Sequence, residues 1–182
     1  EAEDPASQNY DDLTQFFLDQ RRGGGPMDFS VSGSGVVIRR DQGKGYVITN
    51  NHVVESHDET NVLKLTFHRL GKGSTEYNNT VVVAGEGVIV IGKDKLSDLA
   101  VIQFNIPPEL DIQPIVFADS DKAEIGENVI ALGNPLELNH TVTTGIISGK
   151  SRFLEGISME KLLQTDAVIQ PGNSGGPLVN LD

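Results

Sequence analysis

A serine that could act as a nucleophile lies in a glycine-rich turn late in the sequence. Ser174 stands in the run Gly172-Asn173-Ser174-Gly175-Gly176, which Pro177 follows. Glycines on both sides allow the backbone to turn sharply and to approach a substrate closely. A serine hydroxyl needs a hydrogen-bonded base to accept its proton, and the oxyanion that forms needs backbone N–H donors. The same residues also suit an ordinary turn between two strands, so the chemistry depends on the rest of the chain.

Four histidines compete for the role of that base. His57 lies among acidic residues, His68 ends an apolar run, and His140 lies in a polar turn, which are ordinary surroundings for solvated side chains. His52 differs, because the apolar run at 46–49 leads to it and a rigid strand end positions catalytic groups well. Judged alone, His52 would be better explained as a core histidine bonded to the backbone.

The carboxylate that orients the base should be buried against the imidazole, where it fixes the tautomer and stabilises the imidazolium. Asp98 leads directly into an apolar run and suits this role. Asp94, Asp119 and Asp121 lie in polar loops and are typical turn residues. Asp166 competes because it is close to the serine in sequence, but bracing the loop before the serine explains it better.

Composition narrows the class of protein. The 182 residues suffice for one sizeable domain or two small ones, and 20 glycines, 8 prolines and 5% aromatic residues suit a β-rich chain with many turns. The absence of cysteine excludes disulfides. A net charge of −12 argues against nucleic acid as a partner, since such binding rests on clustered Lys and Arg. No apolar run has the length of a membrane span, so we expect no membrane insertion by this chain. The His and carboxylate spacing matches no ligand set, so no metal or cofactor is predicted.

Short apolar runs between turn residues predict an all-β fold of the barrel or sandwich kind. The predicted strands cover 35–38, 46–49, 62–67, 80–84, 87–91, 99–104, 115–117, 128–132, 141–148, 162–169 and 177–181. Paired prolines at 107 and 108 cannot lie within a central strand, so they mark a linker. We expect an acidic tail and a mobile glycine-rich loop over 1–30. A first β-barrel over 31–108 would carry His52 and Asp98, and a second over 109–182 would carry Ser174.

Four motifs, in this order, resemble the HtrA (Deg-type) family of chymotrypsin-fold serine proteases. They are Thr49-Asn50-Asn51-His52-Val53-Val54, Ser97-Asp98-Leu99-Ala100-Val101, Gly133-Asn134-Pro135 and Gly172-Asn173-Ser174-Gly175-Gly176-Pro177. The resemblance runs from about residue 32 to the C-terminus, and residues 11–25 look like the family's long first loop. It implies two six-stranded-type β-barrels, with His52 as general base, Asp98 as its orienter and Ser174 as nucleophile. The implied oxyanion hole lies at Gly172, Asn173 and Ser174, with the N–H groups of Gly172 and Ser174 as donors.

Positions near the serine refine what the resemblance implies about specificity. Asn173 stands where trypsin-like enzymes carry an Asp that pairs with a newly cut N-terminus, so we expect no activation by such an ion pair. Val168 stands six residues before the serine, where enzymes that cut after Lys or Arg carry an acidic residue. Together with Ile169 and Gln170 it predicts a small, apolar P1 pocket that accepts Val, Ala or Ile. Residues 150–156 resemble the family's sensor loop, which relays allosteric signals to the loop at 170–172.

The chain also departs from the resembled family at both ends. Family members have a strand before the first loop and, after the serine motif, two more strands, a further specificity loop and commonly a PDZ domain. We therefore expect the second barrel, and the first strand of the first barrel, to be incomplete, in a fragment or in a chain that a separate chain completes. An open barrel exposes a strand edge and favours pairing. The family's trimers make a homo-oligomer a further expectation.

The resemblance predicts a serine endopeptidase of the protein-quality-control type that cleaves unfolded or damaged polypeptides after small aliphatic residues. It also implies an extracytoplasmic location, whether periplasmic, organellar or secreted. The alternative is an incomplete or inactive protease domain that binds apolar segments as a holdase-like module. A plain β-barrel interaction module is a third interpretation.

Overall fold

The computed structural model describes residues 32–55, 62–69, 79–133, 141–152, 162–170 and 172–181. These residues form ten strands and one short helix: β1 (Val36–Asp41), β2 (Lys44–Asn50), α1 (Asn51–Val54), β3 (Lys64–Arg69), β4 (Asn79–Ala84), β5 (Val88–Asp94), β6 (Leu99–Asn105), β7 (Asn128–Gly133), β8 (Thr141–Arg152), β9 (Leu162–Thr165) and β10 (Leu178–Val179). A 3-10 turn at Gly85–Gly87 joins β4 to β5. The predicted all-β class is confirmed.

The first sheet has the strand order β1-β2-β6-β5, and all of its neighbours are antiparallel. The hairpin of β1 and β2 turns through Gln42 and Gly43, whose φ angles of 46° and 78° match the positive values that a two-residue hairpin loop requires. Buried and half-buried residues alternate along β2, so one of its faces lies against the core. Phe104 of β6 is fully buried there, and its ring lies 5.1 Å from that of Phe67, centroid to centroid.

The second sheet has the order β10-β7-β8-β9, and among the described strands β3 and β4 pair only with each other. The buried side chains of the second sheet include Val129, Ala131 and Ile147. Within the described residues neither four-stranded sheet closes on itself, which agrees with the expected incomplete chymotrypsin-like fold.

The strand predicted at 115–117 does not form. The Ile115 N–H donates to the Val37 carbonyl at 2.9 Å, but Val116 and Phe117 are 89% and 69% exposed. A single hydrogen bond directly after Pro114 starts no ladder, so β-branched composition was insufficient there. The predicted strand at 162–169 ends at Thr165, and β8 runs on to Arg152 through the first residues assigned to the sensor loop.

Several sequence predictions lie outside the described residues. They concern the tail and loop over 1–30, His57, His140, Asn134-Pro135 and the remainder of the sensor loop. The division of the chain near residue 108 stays a prediction, and Leu110 and Ile112 pack into the core of the first sheet.

Candidate active site

His52 is bonded to Asp98 through both its backbone and its ring. The two carboxylate oxygens of Asp98 accept two hydrogen bonds from His52, one from its backbone N–H at 2.9 Å and one from ring Nδ1 at 2.8 Å. The Asp98 side chain is 11% exposed and that of His52 is 28% exposed. Because Nδ1 donates to the carboxylate, Nε2 is left as the proton acceptor. This is the geometry that a general base requires.

The backbone of Asp98 is held as firmly as its side chain. Its carbonyl accepts from the Asn51 N–H and from Asn50 Nδ2, both at 2.9 Å. Asp98 has a φ of +50°, a left-handed conformation that a non-glycine residue adopts at a cost. The four hydrogen bonds from residues 50–52 offset that cost. Two of them bring the N–H groups of Asn51 and His52 onto Asp98, so β2 ends in a helical turn at His52.

Two neighbouring contacts support this pair from β5 and the turn after it. Lys93 Nζ donates to the Val54 carbonyl at 3.0 Å, at the C-terminal end of α1. Asp94 accepts from Ser97 Oγ at 2.6 Å and from the Leu96 N–H at 3.0 Å, which closes the turn leading into Asp98. The hydrogen bond from the Ser97 hydroxyl is the main cause that lowers the pKa of Asp94 from 3.8, and the Leu96 N–H adds to it.

The serine turn is a hydrogen-bonded structure built on glycine conformations. The Asn173 N–H donates to the Gln170 carbonyl at 3.0 Å, and the Gly176 N–H donates to the Asn173 carbonyl at 2.8 Å. Gly172 and Gly175 have φ angles of +101° and +83°, which side chains other than glycine rarely adopt. Since the Asn173 N–H is engaged within the turn, the prediction for oxyanion donors rests on the N–H groups of Gly172 and Ser174.

The serine turn meets the helix that carries His52 at Gly33. A Cβ atom added at Gly33 would lie 2.7 Å from both methyl groups of Val53 and 3.2 Å from the Ser174 carbonyl oxygen. A Cβ at Gly175 would lie 3.0 Å from the Asn50 N. The second sheet's serine turn therefore packs directly against the end of β2 and the start of α1, where residues 50–53 lie.

The residues predicted to form the P1 pocket lead into the serine turn. Val168 and Ile169 are 52% and 62% exposed, and Gln170 is also exposed. The Val168 carbonyl accepts from Thr143 Oγ1 at 2.9 Å, which ties this segment to β8. Their role as a pocket stays a prediction.

The competing residues have other partners. The Asp166 carboxylate accepts from the Ile146 N–H at 2.7 Å and so braces the segment before the serine turn to β8. His68 Nδ1 lies 3.1 Å from Thr80 Oγ1, across the β3–β4 pair. Sequence reasoning missed Gly33 and Lys93, because Gly33 differs little from other glycines in a small-residue run and Lys93 resembles any exposed lysine.

The described residues offer neither a metal-binding cluster nor a membrane-spanning helix. No cluster of three or more His, Asp or Glu side chains in them could hold a metal ion. None of their helices is long and apolar enough to cross a membrane.

Comparisons with known proteins give relatives over most of the chain. A family model described as a trypsin-like peptidase domain matches residues 33–182. The chain is 42% identical over 160 residues to the serine protease Do-like HtrA of Bacillus subtilis (strain 168), covering 84% of this chain and 32% of that protein. It is 42% identical over 161 residues to the periplasmic serine endoprotease DegP of Escherichia coli (strain K12), covering 88% of this chain and 30% of that protein. The chain thus spans about a third of the length of these curated relatives.

Solved structures give the same relationship. The HtrA-type protease AlgW with a decapeptide matches with a TM-score of 0.63 and 32% identity, over 81% of this chain and 39% of that one. The structure of Deg5 matches with a TM-score of 0.64 and 29% identity, over 84% of this chain and 70% of that one.

Proposed function

Because the chain belongs to the trypsin-like peptidase family and is a homologue of the HtrA and DegP proteases, we propose that it is a serine endopeptidase with His52, Asp98 and Ser174 as its catalytic residues. The observation that carries the proposal is the double hydrogen bond between Asp98 and His52, on a helix that meets the serine turn at Gly33. A charged carboxylate that fixes the tautomer of a neighbouring imidazole is the arrangement that activates a serine.

The proposed reaction has two stages. His52 Nε2 accepts the hydroxyl proton of Ser174 as Oγ attacks the scissile carbonyl carbon. The oxyanion accepts hydrogen bonds from the N–H groups of Gly172 and Ser174, and Asp98 stabilises the imidazolium. The C–N bond then breaks as His52 gives its proton to the leaving amine, which leaves an acyl ester on Ser174. Water hydrolyses that ester, with His52 again accepting and returning the proton.

The proposed substrates are unfolded or damaged polypeptides, as in protein quality control, cut after small aliphatic residues. Val168 and Ile169 are apolar and exposed beside the serine turn, so they can contact an apolar substrate side chain. Neither residue has a carboxylate that would pair with Lys or Arg at P1. Discrimination between aliphatic residues should be modest, because one methylene in an apolar pocket is worth only about 1–3 kcal/mol. Relatives named as periplasmic support an extracytoplasmic location.

The test is covalent labelling of the intact protein with a fluorophosphonate, followed by digestion of casein as an unfolded substrate. We expect labelling and cleavage in the wild type, neither in Ser174→Ala, and both in Ser120→Ala, which removes the hydroxyl of an exposed serine in a loop. A peptide panel that varies only P1 tests the pocket, and cleavage after Lys would contradict it. Labelling that persists in Ser174→Ala would refute the assignment of the nucleophile.

A polypeptide-binding module without chemistry is the second candidate function. It is favoured by the exposed apolar side chains of the second sheet, among them Val142, Ile146 and Leu178, which are 57%, 36% and 39% exposed. Such a module would suppress the aggregation of an unfolded protein without labelling at Ser174, so the same experiment separates the two functions.

A further inference from the structure

Three hydrogen bonds join the first sheet to the serine turn through Ser34. The Ser34 N–H donates to the Ser174 carbonyl at 2.8 Å, and the Ser34 hydroxyl donates to the Gly172 carbonyl at 2.7 Å. Behind them, Thr49 Oγ1 donates to the Ser34 carbonyl at 2.6 Å, and Thr49 is only 3% exposed. We call these three bonds the Ser34 clamp. It joins Ser34, just before β1, to the serine turn, and Ser34 and Gly172 are 138 positions apart in the sequence.

The clamp acts on the peptide groups that surround the nucleophile. A trans peptide is planar and points its C=O and N–H in opposite directions, so holding one end fixes the other. The Ser34 hydroxyl holds the C=O of the Gly172–Asn173 peptide, whose N–H is bonded to Gln170. The Ser34 N–H holds the C=O of the Ser174–Gly175 peptide. Between them, the Asn173 carbonyl is bonded to Gly176, which fixes the direction of the Ser174 N–H.

Glycine makes this external support necessary. Gly172 and Gly175 can rotate through conformations closed to other residues, so steric restriction at these two positions adds little to the hydrogen bonds within the turn. The packing against Ser34 leaves little alternative space, since a Cβ at Gly175 would overlap the Ser34 carbonyl oxygen and Thr49 Oγ1. A Cβ at Gly176 would lie 3.2 Å from Ser34 Cβ. Packing against the first sheet therefore restricts the turn in addition to the hydrogen bonds within it.

We propose that Ser34 is a positioning residue for the reaction, because its hydroxyl, backed by Thr49, holds the turn that presents the oxyanion donors Gly172 and Ser174. The inference rests on the proposed function. Ser34 need not contact the reacting atoms, so its effect should be smaller than the loss of an oxyanion donor, which costs about 10²–10³ in turnover. One neutral hydrogen bond corresponds to roughly 2- to 12-fold.

The experiment compares the wild type, Ser34→Ala, Ser34→Thr and the control Ser120→Ala in the intact protein. Fluorophosphonate titration counts active sites, and hydrolysis of a peptide ending in Val at P1 gives kcat per site and KM. For Ser34→Ala we expect kcat per site to fall about 3- to 10-fold with KM changed less than twofold. Ser34→Thr keeps the hydroxyl and should recover most of the rate. Amide hydrogen exchange in the segment 172–176 should rise in Ser34→Ala alone, which reports the clamp without using activity.

Two results would overturn the role of Ser34. One is an unchanged kcat per site in Ser34→Ala. The other is a loss of active sites in proportion to the loss of activity, which would make Ser34 a purely structural residue. A wild type that neither labels nor hydrolyses peptides would instead refute the proposed function, so the two failures are distinguishable.

Discussion

Replacing Asp98 by Asn tests the central pair with a change of one atom. Both carboxylate oxygens accept from N–H groups of His52, one from the backbone and one from ring Nδ1. An amide carries only one oxygen, so Asn can satisfy one of these donors and must turn its NH₂ group toward the other. With its oxygen on the backbone N–H, the amide faces Nδ1 and favours the tautomer protonated on Nε2, which cannot accept the proton of Ser174.

The opposite orientation places the NH₂ group against the backbone N–H of His52. Leaving such a donor unsatisfied in a largely buried site costs about 1–3 kcal/mol, so the wrong tautomer should dominate by roughly 5- to 150-fold. The variant also lacks the negative charge that stabilises the imidazolium. Two unit charges about 4 Å apart at an effective dielectric of about 20 attract by about 4 kcal/mol, or roughly 10³ in rate. The two effects together predict a loss of about 10⁴ to 10⁵ in kcat.

The assay is kcat on a peptide substrate together with the rate of fluorophosphonate labelling, measured on variants with the β-sheet circular dichroism of the wild type. Asp166→Asn is the matched control, because the Asp166 carboxylate accepts from the Ile146 N–H and the amide oxygen can keep that bond. We expect the control to remain within about threefold of the wild type. An Asp98→Asn protein that retains a tenth or more of the wild-type kcat would refute the reasoning, as would an equal loss in the control.

Three further predictions concern the surroundings of the pair. Gly175→Ala places a side chain at a φ of +83° and in overlap with its neighbours, whereas Gly85→Ala places one at +78° in open space. The free energy of unfolding should therefore fall by more in Gly175→Ala than the strain of about 1–2 kcal/mol expected for Gly85→Ala. Equal urea midpoints for the two variants would contradict this. Ser97→Ala should raise the pKa of Asp94 toward 3.8 in an NMR titration. Because the lowered pKa favours the ionised, folded form, its stabilising contribution is present above pH 3.8 and is lost as the pH falls through the folded pKa. Lys93→Met should lower kcat roughly 2- to 12-fold through a looser helix, and an unchanged kcat would exclude that support.

Most strands could be predicted from the sequence because short apolar and β-branched runs stand between turn residues, whereas the buried face of each strand is seen only in the fold. β2 shows buried and half-buried residues in strict alternation, and β6 shows the same pattern with Ala100, Ile102 and Phe104 inward. The segment 115–117 has β-favouring residues but bonds through one N–H, so its propensity had no ladder to join. Whether a strand finds a partner depends on the whole fold, which a local window does not contain.

The pairing of His52 with Asp98 was predicted, but its support was not visible in the sequence. Two valines in α1 favour a strand, yet the N–H groups of Asn51 and His52 are held by Asp98, so a distant residue forms the helical turn. The positive φ of Asp98 could not be predicted from the sequence, because an aspartate does not reveal which backbone conformation it adopts. Ser34 lies in a run of small residues, and its hydrogen bonds to the serine turn are seen only in the folded structure.

The joint at Gly33 makes the proposed chemistry depend on how closely the first sheet and the serine turn pack. The first sheet leads into His52, the proposed proton acceptor, and the serine turn carries the proposed nucleophile. At Gly33, between Val53 and the Ser174 carbonyl, there is no room for a methyl group. A slight separation of the serine turn from the first sheet would leave both sheets intact but abolish the proposed activity. Heating should therefore abolish the proposed activity at a lower temperature than the one at which the β-strands unfold. Cooling should restore the activity as long as neither sheet has unfolded.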